Sequence, residues 1–461
     1  MQKSNQVNLK WLKKYSRPGP RYTSYPTAPV FDTSFTSDDY IKMLERPDGK
    51  NVPLSLYFHI PFCESVCSFC ACNVIYTKNR SHVDPYLDLV KKEMDMLVSH
   101  LDPSRLVDQL HWGGGTPTFM SPDRMDVFYE EIKKRFSFTE NAEISIELDP
   151  REVTKDHISV LRKHGFNRAS LGVQDVDEKV QKAVNRLQPM DEQVVPIYES
   201  LRKEGFHGIN MDLIYGLPHQ TPVSFEKTVE AIISLCPDRI SLFNFAYLPH
   251  LKKHQVKIDA SALPDTDSRL EIFAMSVERF ITAGYVYVGM DHFALPDDEL
   301  VLAQSDGTLH RNFQGYTTRG GCDLLGIGVT SIGELDNGYA QNYKKLEQYS
   351  AALEEGRFPV ERGYRRTEDD TIRHRVIMEL ISHFRLDTKK IEKDYGIDFQ
   401  SYFAGELQEL KQFEDDGLLS FENAEITVGF QGRFVIRNIC MLFDAHLQEL
   451  ENKGQKFSKT V

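Results

Sequence analysis

From residue 53 onward the chain repeats one pattern: an apolar run, a polar loop, then an amphipathic helical stripe. The pattern predicts strands at Leu54–His59, Val107–Trp112, Glu143–Leu148, Asn167–Val173, Gly208–Ile214 and Arg239–Phe243. Helical stripes lie between them, as with Val83, Leu87, Val90, Met94 and Leu97, which recur every three or four residues. Strands that alternate with helices over short connections pair in parallel. Six such units predict an α/β fold, an incomplete (β/α)6 barrel, and barrels carry their chemistry on loops at the carboxyl ends of strands.

The first of those loops reads Cys63-Glu-Ser-Val-Cys67-Ser-Phe-Cys70-Ala-Cys72. Three thiolates this close in sequence suit one metal centre, an iron–sulfur cluster or zinc. Structural zinc usually takes two separated ligand pairs, and no second Cys or His pair follows at such spacing. Cys236, Cys322 and Cys440 are isolated and read as ordinary buried thiols. A cubane cluster held by three cysteines has one iron left for a ligand that the protein does not supply. Seven cysteines, four of them within ten residues, do not form the distributed framework of a secreted scaffold, so a reducing cytoplasm is expected.

Cys-x3-Cys-x2-Cys behind a strand resembles the signature of radical S-adenosylmethionine (SAM) enzymes. Cys72 narrows the likeness, as do Tyr57-Phe-His-Ile-Pro-Phe-Cys63 and the amino-terminal Pro18-Gly-Pro-Arg-Tyr-Thr-Ser-Tyr-Pro26. Over nearly its whole length the chain resembles the oxygen-independent coproporphyrinogen III oxidases (dehydrogenases) of haem biosynthesis, with Ala71 where that family usually has Gly. A haem-chaperone relative typically lacks the fourth cysteine and the Pro-Gly-Pro-Arg-Tyr-Thr arm, so Cys72 and Arg21 point to the enzyme. A zinc-stabilised binding module without turnover is the rival reading from another class.

The resemblance implies a radical SAM barrel whose 4Fe-4S cluster sits on Cys63, Cys67 and Cys70. It implies that an electron from the cluster splits SAM into methionine and a 5'-deoxyadenosyl radical. Two propionate side chains of coproporphyrinogen III would then be oxidatively decarboxylated to vinyl groups, giving protoporphyrinogen IX. By the same resemblance, Tyr57, Gly114, Glu147 and Ile332 hold the cluster-bound SAM. Phe69, Gly115, Thr116, Gln174, Arg186, Asp212 and Ala246 would hold a second SAM. The implied partners are the substrate and an electron-donor protein such as a flavodoxin or ferredoxin, with the enzyme a cytoplasmic monomer.

The residues themselves outline a polar rim at the predicted strand ends: Gly113-Gly-Gly-Thr-Pro-Thr118, Glu147, Asp149, Gln174 and Asp212. Singly, each also suits a turn or a helix cap. Tyr57 and His59 are two apart in a strand and face one side, taken to be the interior. His59, four residues before Cys63, is read as a site residue, with its role as acid, base or hydrogen-bonding neighbour open. Residues 290 to 333 hold Met290-Asp-His-Phe-Ala294 and a glycine-dense stretch with His310, Arg311 and Arg319. These loops are expected to line the substrate cavity, with Gln314 near the reacting group. Tyr57, His59 and Gln314 are thus the candidate catalytic residues.

The 461 residues suggest more than one domain. Residues 1–50, punctuated by Pro18, Pro20, Pro26 and Pro29, read as an arm without regular periodicity. The resemblance folds that arm over the active-site mouth and makes Arg21 and Tyr22 candidates for touching substrate. Residues 51–365 form the expected barrel and 366–461 a helical cover domain. The last has two helices, a hairpin over Leu418 to Val435 and a final helix, a winged-helix-like arrangement. Residues 401–461 hold 6 Lys and Arg against 10 Asp and Glu, the wrong sign for nucleic acid. The whole chain, at a net charge of -13, must gather local positive charge for an anionic substrate. No secretory signal or membrane-spanning run is recognised, so no membrane partner is expected.

Overall fold

The computed structural model describes residues 6–335 and 337–460, so the first five residues of the expected arm and the last of the cover domain lie outside it. Six parallel strands stand where the alternation predicts them: β1 (Leu54–Ile60), β2 (Val107–Gly114), β3 (Phe138–Leu148), β4 (Arg168–Gln174), β5 (Gly208–Tyr215) and β6 (Arg239–Asn244). β3 begins five residues before its predicted start, and the other strands end one or two residues beyond their predicted ends.

The sheet does not close. Six more strands extend it: β7 (Val286–Gly289), β8 (His292–Ala294), β9 (Asp323–Ile327), β10 (Ile332–Leu335), β11 (Gly338–Asn342) and β12 (Val360–Arg365). The order across the sheet is β12-β11-β10-β9-β1-β2-β3-β4-β5-β6-β8-β7. β9 runs parallel to β1, and β8 runs antiparallel to β6. The region read as loops from 290 to 333 therefore contributes two of these strands whole and the opening of a third, besides a separate hairpin, His310–Asn312 with Gly315–Thr317.

Crossover helices such as Val83–Ser99, Pro122–Lys133 and Pro222–Leu235 cover the convex face. Their starts are set by capping: Ser121 accepts from the Arg124 amide, and Thr221 forms a capping box with Ser224. Beneath them Trp112 is fully buried, its ring 5.2 Å from Phe128 and 5.0 Å from Phe166. With helices outside and ordered side chains inside, β1 is buried along nearly its whole length, as a central parallel strand should be.

The amino-terminal segment differs from the expectation of irregular chain. It contains helices at Leu9–Tyr15 and Ser37–Leu44, the first capped by Asn8 and the second by a Thr36–Asp39 capping box. Two-turn helices show too few apolar repeats to be read by period, and their caps define them. This segment is tied to the carboxyl-terminal one: Tyr15 donates to Asp416 at 2.6 Å and Tyr22 to Asp444 at 2.9 Å.

In the carboxyl-terminal region the helix Glu368–His383 follows a Thr367–Asp370 capping box. The second expected helix is broken into Phe399–Tyr402 and Ala404–Asp415. The hairpin is shorter than read, Leu419–Glu422 with Glu425–Val428, joined by Arg385–Asp387 as a third strand. It stops because Gly432 comes back against the Leu418 carbonyl and Phe430–Arg433 turns into a helix. The final helix is likewise two short ones, Ile436–Leu442 and Leu447–Asn452. Of the three isolated cysteines only Cys440 is buried, while Cys322 is partly buried and Cys236 is exposed at a helix end.

Candidate active site

The parallel register sets a row of polar side chains along the concave face. Tyr57 on β1 pairs with His111 on β2, His111 with Ser145 on β3, and Asp212 on β5 with Ser241 on β6. These are linked sideways. Tyr57 and His111 stack at 5.8 Å, and His111 Nδ1 lies 2.7 Å from Ser145 Oγ. Farther along, Ser170 donates to Asp212 at 2.8 Å and Ser241 to Asn210 at 3.0 Å. His111, Ser145, Ser170, Asn210 and Ser241 were not among the residues read as functional. Their signal was present as polar residues at alternate positions inside strands.

Most of these groups face a cavity of about 480 Å³ over the carboxyl ends and interior of the strands. Its lining includes Cys63, Cys67, Phe69, Cys70 and Cys72 from the loop after β1. It also includes Gly114, Gly115, Thr116, Glu147, Gln174, Arg186, Asp212 and Gln314. Tyr57, His59, Ala246 and Ile332 lie beside this lining and are not part of it.

The glycine turn after β2 is fastened to the cysteine loop. Gly115 donates to the Ile60 carbonyl and Thr116 to that of Phe62, both at 2.8 Å. A Cβ on Gly115 would come within 2.6 Å of the Phe62 carbonyl. Gly114 has φ +114°, and a Cβ there would press into the His59 ring at 2.8 Å. Glu147 accepts from the Gly114 amide at 3.0 Å and stands 3.4 Å from His111. Burial opposes its charge, yet His111 and the amide prevail and hold the carboxyl below its ordinary value. Asp212 goes the other way: burial first, with Glu147 adding, pushes it up to about 6.

His59 Nε2 lies 2.9 Å from the Asn73 carbonyl, which can only accept. That nitrogen therefore carries the proton, and Nδ1 accepts from Tyr57 Oη at 3.1 Å. Burial lowers the imidazole's pKa. His59 is thus a neutral hydrogen-bonding neighbour that orients Tyr57. Ile332 packs its backbone against Gly326, the β9 residue paired with Tyr57. The Ala246 carbonyl accepts from Gln255 at 3.1 Å, and the same amide group donates to the Phe69 carbonyl.

The thiols sit in a polarised setting. Cys67 receives Arg151 at 3.2 Å and Arg186 at 3.4 Å, and Asp149 binds both arginines. Against burial, Arg186 and Arg151 hold Asp149 down to about 2. A hydrogen bond from Cys72 pulls the Cys70 thiol down to about 7, while burial pushes Cys63 up to about 12. Among the described residues no three His, Cys, Asp or Glu side chains converge on one ion. A cubane does not ask this of its ligands, because each thiolate binds a separate corner iron. Three thiols on one wall, two guanidiniums offsetting their charge and a polar cavity in front make a donor set that fits such a cluster.

The remaining expectations divide. Arg21 forms an ion pair with Asp291 and lies 5.9 Å from the ring of Phe243, a cavity residue. Tyr22 turns into the core and is 1% exposed, which removes it as a substrate contact. Arg311 is buried 4.7 Å from the Tyr316 ring with its Nε and Nη1 unpartnered, whereas Arg319 is bound by Asp108 and the Asn141 carbonyl. Gln314 heads the hairpin turn with its amide nitrogen unpartnered.

Comparison with known proteins supplies the family. Residues 57–232 match the Radical SAM superfamily and 367–435 the HemN C-terminal domain. The oxygen-independent coproporphyrinogen III oxidase of Pseudomonas aeruginosa is 45% identical over 98% of both chains. That of Helicobacter pylori strain J99 is 46% identical over 99% of both. The chain belongs to the oxygen-independent coproporphyrinogen III oxidase family. The solved coproporphyrinogen III oxidase of Escherichia coli, described as a radical SAM enzyme, superposes with a TM-score of 0.91 at 43% identity. The match covers 96% of this chain and all of that one. Among the described residues of this family member no helix is long and apolar enough to cross a membrane.

Proposed function

We propose that this chain catalyses the radical SAM oxidative decarboxylation of two propionate side chains of coproporphyrinogen III to vinyl groups, giving protoporphyrinogen IX in haem biosynthesis. The observation that carries the proposal is the thiol wall of Cys63, Cys67 and Cys70 facing the same cavity as Glu147 and the glycine turn, in a chain of this family. When bound, a reduced 4Fe-4S cluster and SAM supply a radical that abstracts a hydrogen atom. Each propionate side chain would give a hydrogen atom from its β-carbon to that radical and then lose carbon dioxide, the one remaining electron passing to a separate electron acceptor.

The chain's own residues hold and orient. Cys63, Cys67 and Cys70 ligate the cluster, and Arg151 and Arg186 offset the thiolate charge. Gly114, kept in place by Glu147, presents backbone polar groups to the first SAM, with Tyr57 and Ile332 beside it. Phe69, Gly115, Thr116, Gln174, Arg186, Asp212 and Ala246 form the surroundings of a second SAM; Asp212 and Arg186 suit a ribose hydroxyl and a carboxylate respectively. Gln314 points an unsatisfied amide at the substrate, and Arg21 and Arg311 bring positive charge to its carboxylates. The cavity walls keep water from the reacting carbon. The same reading takes residues 1–50 as an arm over the site, 51–365 as the barrel and 366–461 as a cover, in a cytoplasmic monomer served by an electron-donor protein.

The test is anaerobic reconstitution with iron and sulfide, followed by dithionite, SAM and coproporphyrinogen III, with 5'-deoxyadenosine and porphyrin products assayed together. Both products are expected. Deoxyadenosine without decarboxylated porphyrin discards the substrate, and zinc in place of iron and sulfide discards the chemistry.

A further inference from the structure

The outer side of the cysteine loop is covered by a segment that the reaction itself does not use. Three bonds from this segment reach the loop's backbone. His254 Nε2 lies 2.6 Å from the Cys70 carbonyl, Gln255 donates to that of Phe69 at 3.1 Å, and Lys252 donates to that of Cys72 at 3.2 Å. Gln255 is fully buried and pins the segment from beneath. Leu251, Lys253, Val256 and Lys257 are exposed. Leu251 is 64% exposed and Val256 67%, with Lys252 and Lys253 next to the first and Lys257 next to the second.

The charge of this segment opposes that of the chain. The molecule carries a net charge of -13, yet no Asp or Glu occurs between Asp238 and Asp259. Among the described residues, none of Lys252, Lys253 and Lys257 appears in an ion pair. More cations gather on the far side of the exposed Ala71 and Cys72. Asn73 donates to the Lys344 carbonyl at 2.9 Å, and Arg362 binds Gln341 at 2.7 Å. Lys344 is held below the ordinary lysine range by burial first and then by Arg362 and Lys252, with Glu361 offsetting part of this. Two exposed aliphatic side chains beside three lysines without an ion pair, one hydrogen bond from a cluster ligand, form a surface that joins apolar and cationic groups.

We propose that this surface, centred on Leu251 and Val256 and rimmed by Lys252, Lys253, Lys257, Lys344 and Arg362, docks an acidic one-electron carrier protein that reduces the cluster. The inference rests on the radical SAM reading above. One electron leaves the carrier and one enters the cluster, with no other change in either partner. Charge complementarity selects the occupant: an acidic carrier is steered to this basic outer face beside the cysteine loop, and Leu251 and Val256 give it an apolar contact. A small anionic substrate bound in the cavity gains nothing from two aliphatic side chains directed at solvent.

The probe is a flavodoxin, and two double variants, Lys253→Glu/Lys257→Glu and Leu251→Ser/Val256→Ser, change side chains that do not touch the loop. Binding of oxidised flavodoxin to the reconstituted enzyme is measured by calorimetry at low and high salt. Turnover is measured separately with dithionite and with reduced flavodoxin. The expected result is about tenfold or more weaker binding for the charge-reversal variant at low salt, with the difference lost at high salt. Weaker binding at both salts is expected for the serine variant, and dithionite-driven turnover should be unchanged in both. Flavodoxin that binds both variants as it binds the parent overturns the proposal. A raised KM for coproporphyrinogen III in the dithionite assay of the charge-reversal variant also overturns it, because the lysines would then serve the substrate. Absence of deoxyadenosine from the parent enzyme with dithionite defeats the underlying reading instead, whatever the binding shows.

Discussion

The Glu147 carboxylate accepts the Gly114 amide at 3.0 Å, so an acid at the end of β3 fixes the glycine turn at the end of β2. Replacing Glu147 with Gln keeps the size and removes the charged acceptor. A charge-assisted hydrogen bond is worth about 1.5–3 kcal/mol, so SAM affinity should fall by roughly ten- to a hundredfold. Cluster content should stay at the parent level, since no cysteine contact is lost. Equilibrium dialysis with labelled SAM and iron analysis of the same sample check both halves; an unchanged SAM affinity removes Glu147 from the site.

Gly114→Ala tests the same turn from the other side. The methyl group would meet the His59 ring at 2.8 Å on a backbone whose φ is +114°, which costs a non-glycine residue about 1–3 kcal/mol before the clash is counted. His59 must then move, and with it the bond that orients Tyr57. Deoxyadenosine formation should drop by at least about tenfold. A variant that folds, binds cluster and keeps its rate shows that the turn tolerates a side chain.

The site was legible in the sequence where chemistry and local backbone coincide. Cys63 to Cys72 and Gly113 to Gly115 announce themselves because thiols bind metal and glycines permit close approach. The six parallel strands were legible because apolar residues recur in each short run and amphipathic helical stripes separate one run from the next. His111 and Ser170 were not, since a polar residue inside a strand acquires its meaning only from partners on neighbouring strands. The helix Leu9–Tyr15 was hidden by its length, being defined by Asn8 and by its fit against the distant Asp416. Tyr22 was misread for a related reason: its hydroxyl partner, Asp444, is more than four hundred residues away.

Arg311 offers a test of substrate recognition. It is 7% exposed, its Nε and Nη1 lack partners, and its neighbours Tyr316 and Gln314 belong to the cavity hairpin. Arg311→Ala should raise the KM for coproporphyrinogen III by about tenfold or more with little change in SAM affinity. Arg311→Lys should recover only part, because an ammonium group lacks the forked geometry. Unchanged KM in Arg311→Ala, at an unchanged melting temperature, would remove this guanidinium from substrate binding.

Glu93 gives a prediction in pH. It is 2% exposed and accepts from the Gly328 amide at 2.8 Å, from Asn342 at 2.6 Å and from the Tyr349 hydroxyl. The adjacent Val329 amide donates to Tyr86, which in turn donates to the His59 carbonyl at 2.6 Å, so the acid supports the strand that carries Tyr57. Burial, only partly offset by these bonds, raises the carboxyl from 4.5 to about 7. Between those values the native state holds a proton that the unfolded chain has released, so stability falls as pH rises through the window and levels off above it. The slope is at most about 1.4 kcal/mol per pH unit, for a total on the order of 3 kcal/mol. Subtracting the urea-unfolding curve of Glu93→Gln, which cannot titrate, isolates this contribution from the other carboxylates. The difference between parent and variant should decline from about pH 4.5 to about pH 7 and then stay flat. A difference that is constant across the window would mean that Glu93 is already ionised at the lower pH, and that its three donors outweigh burial.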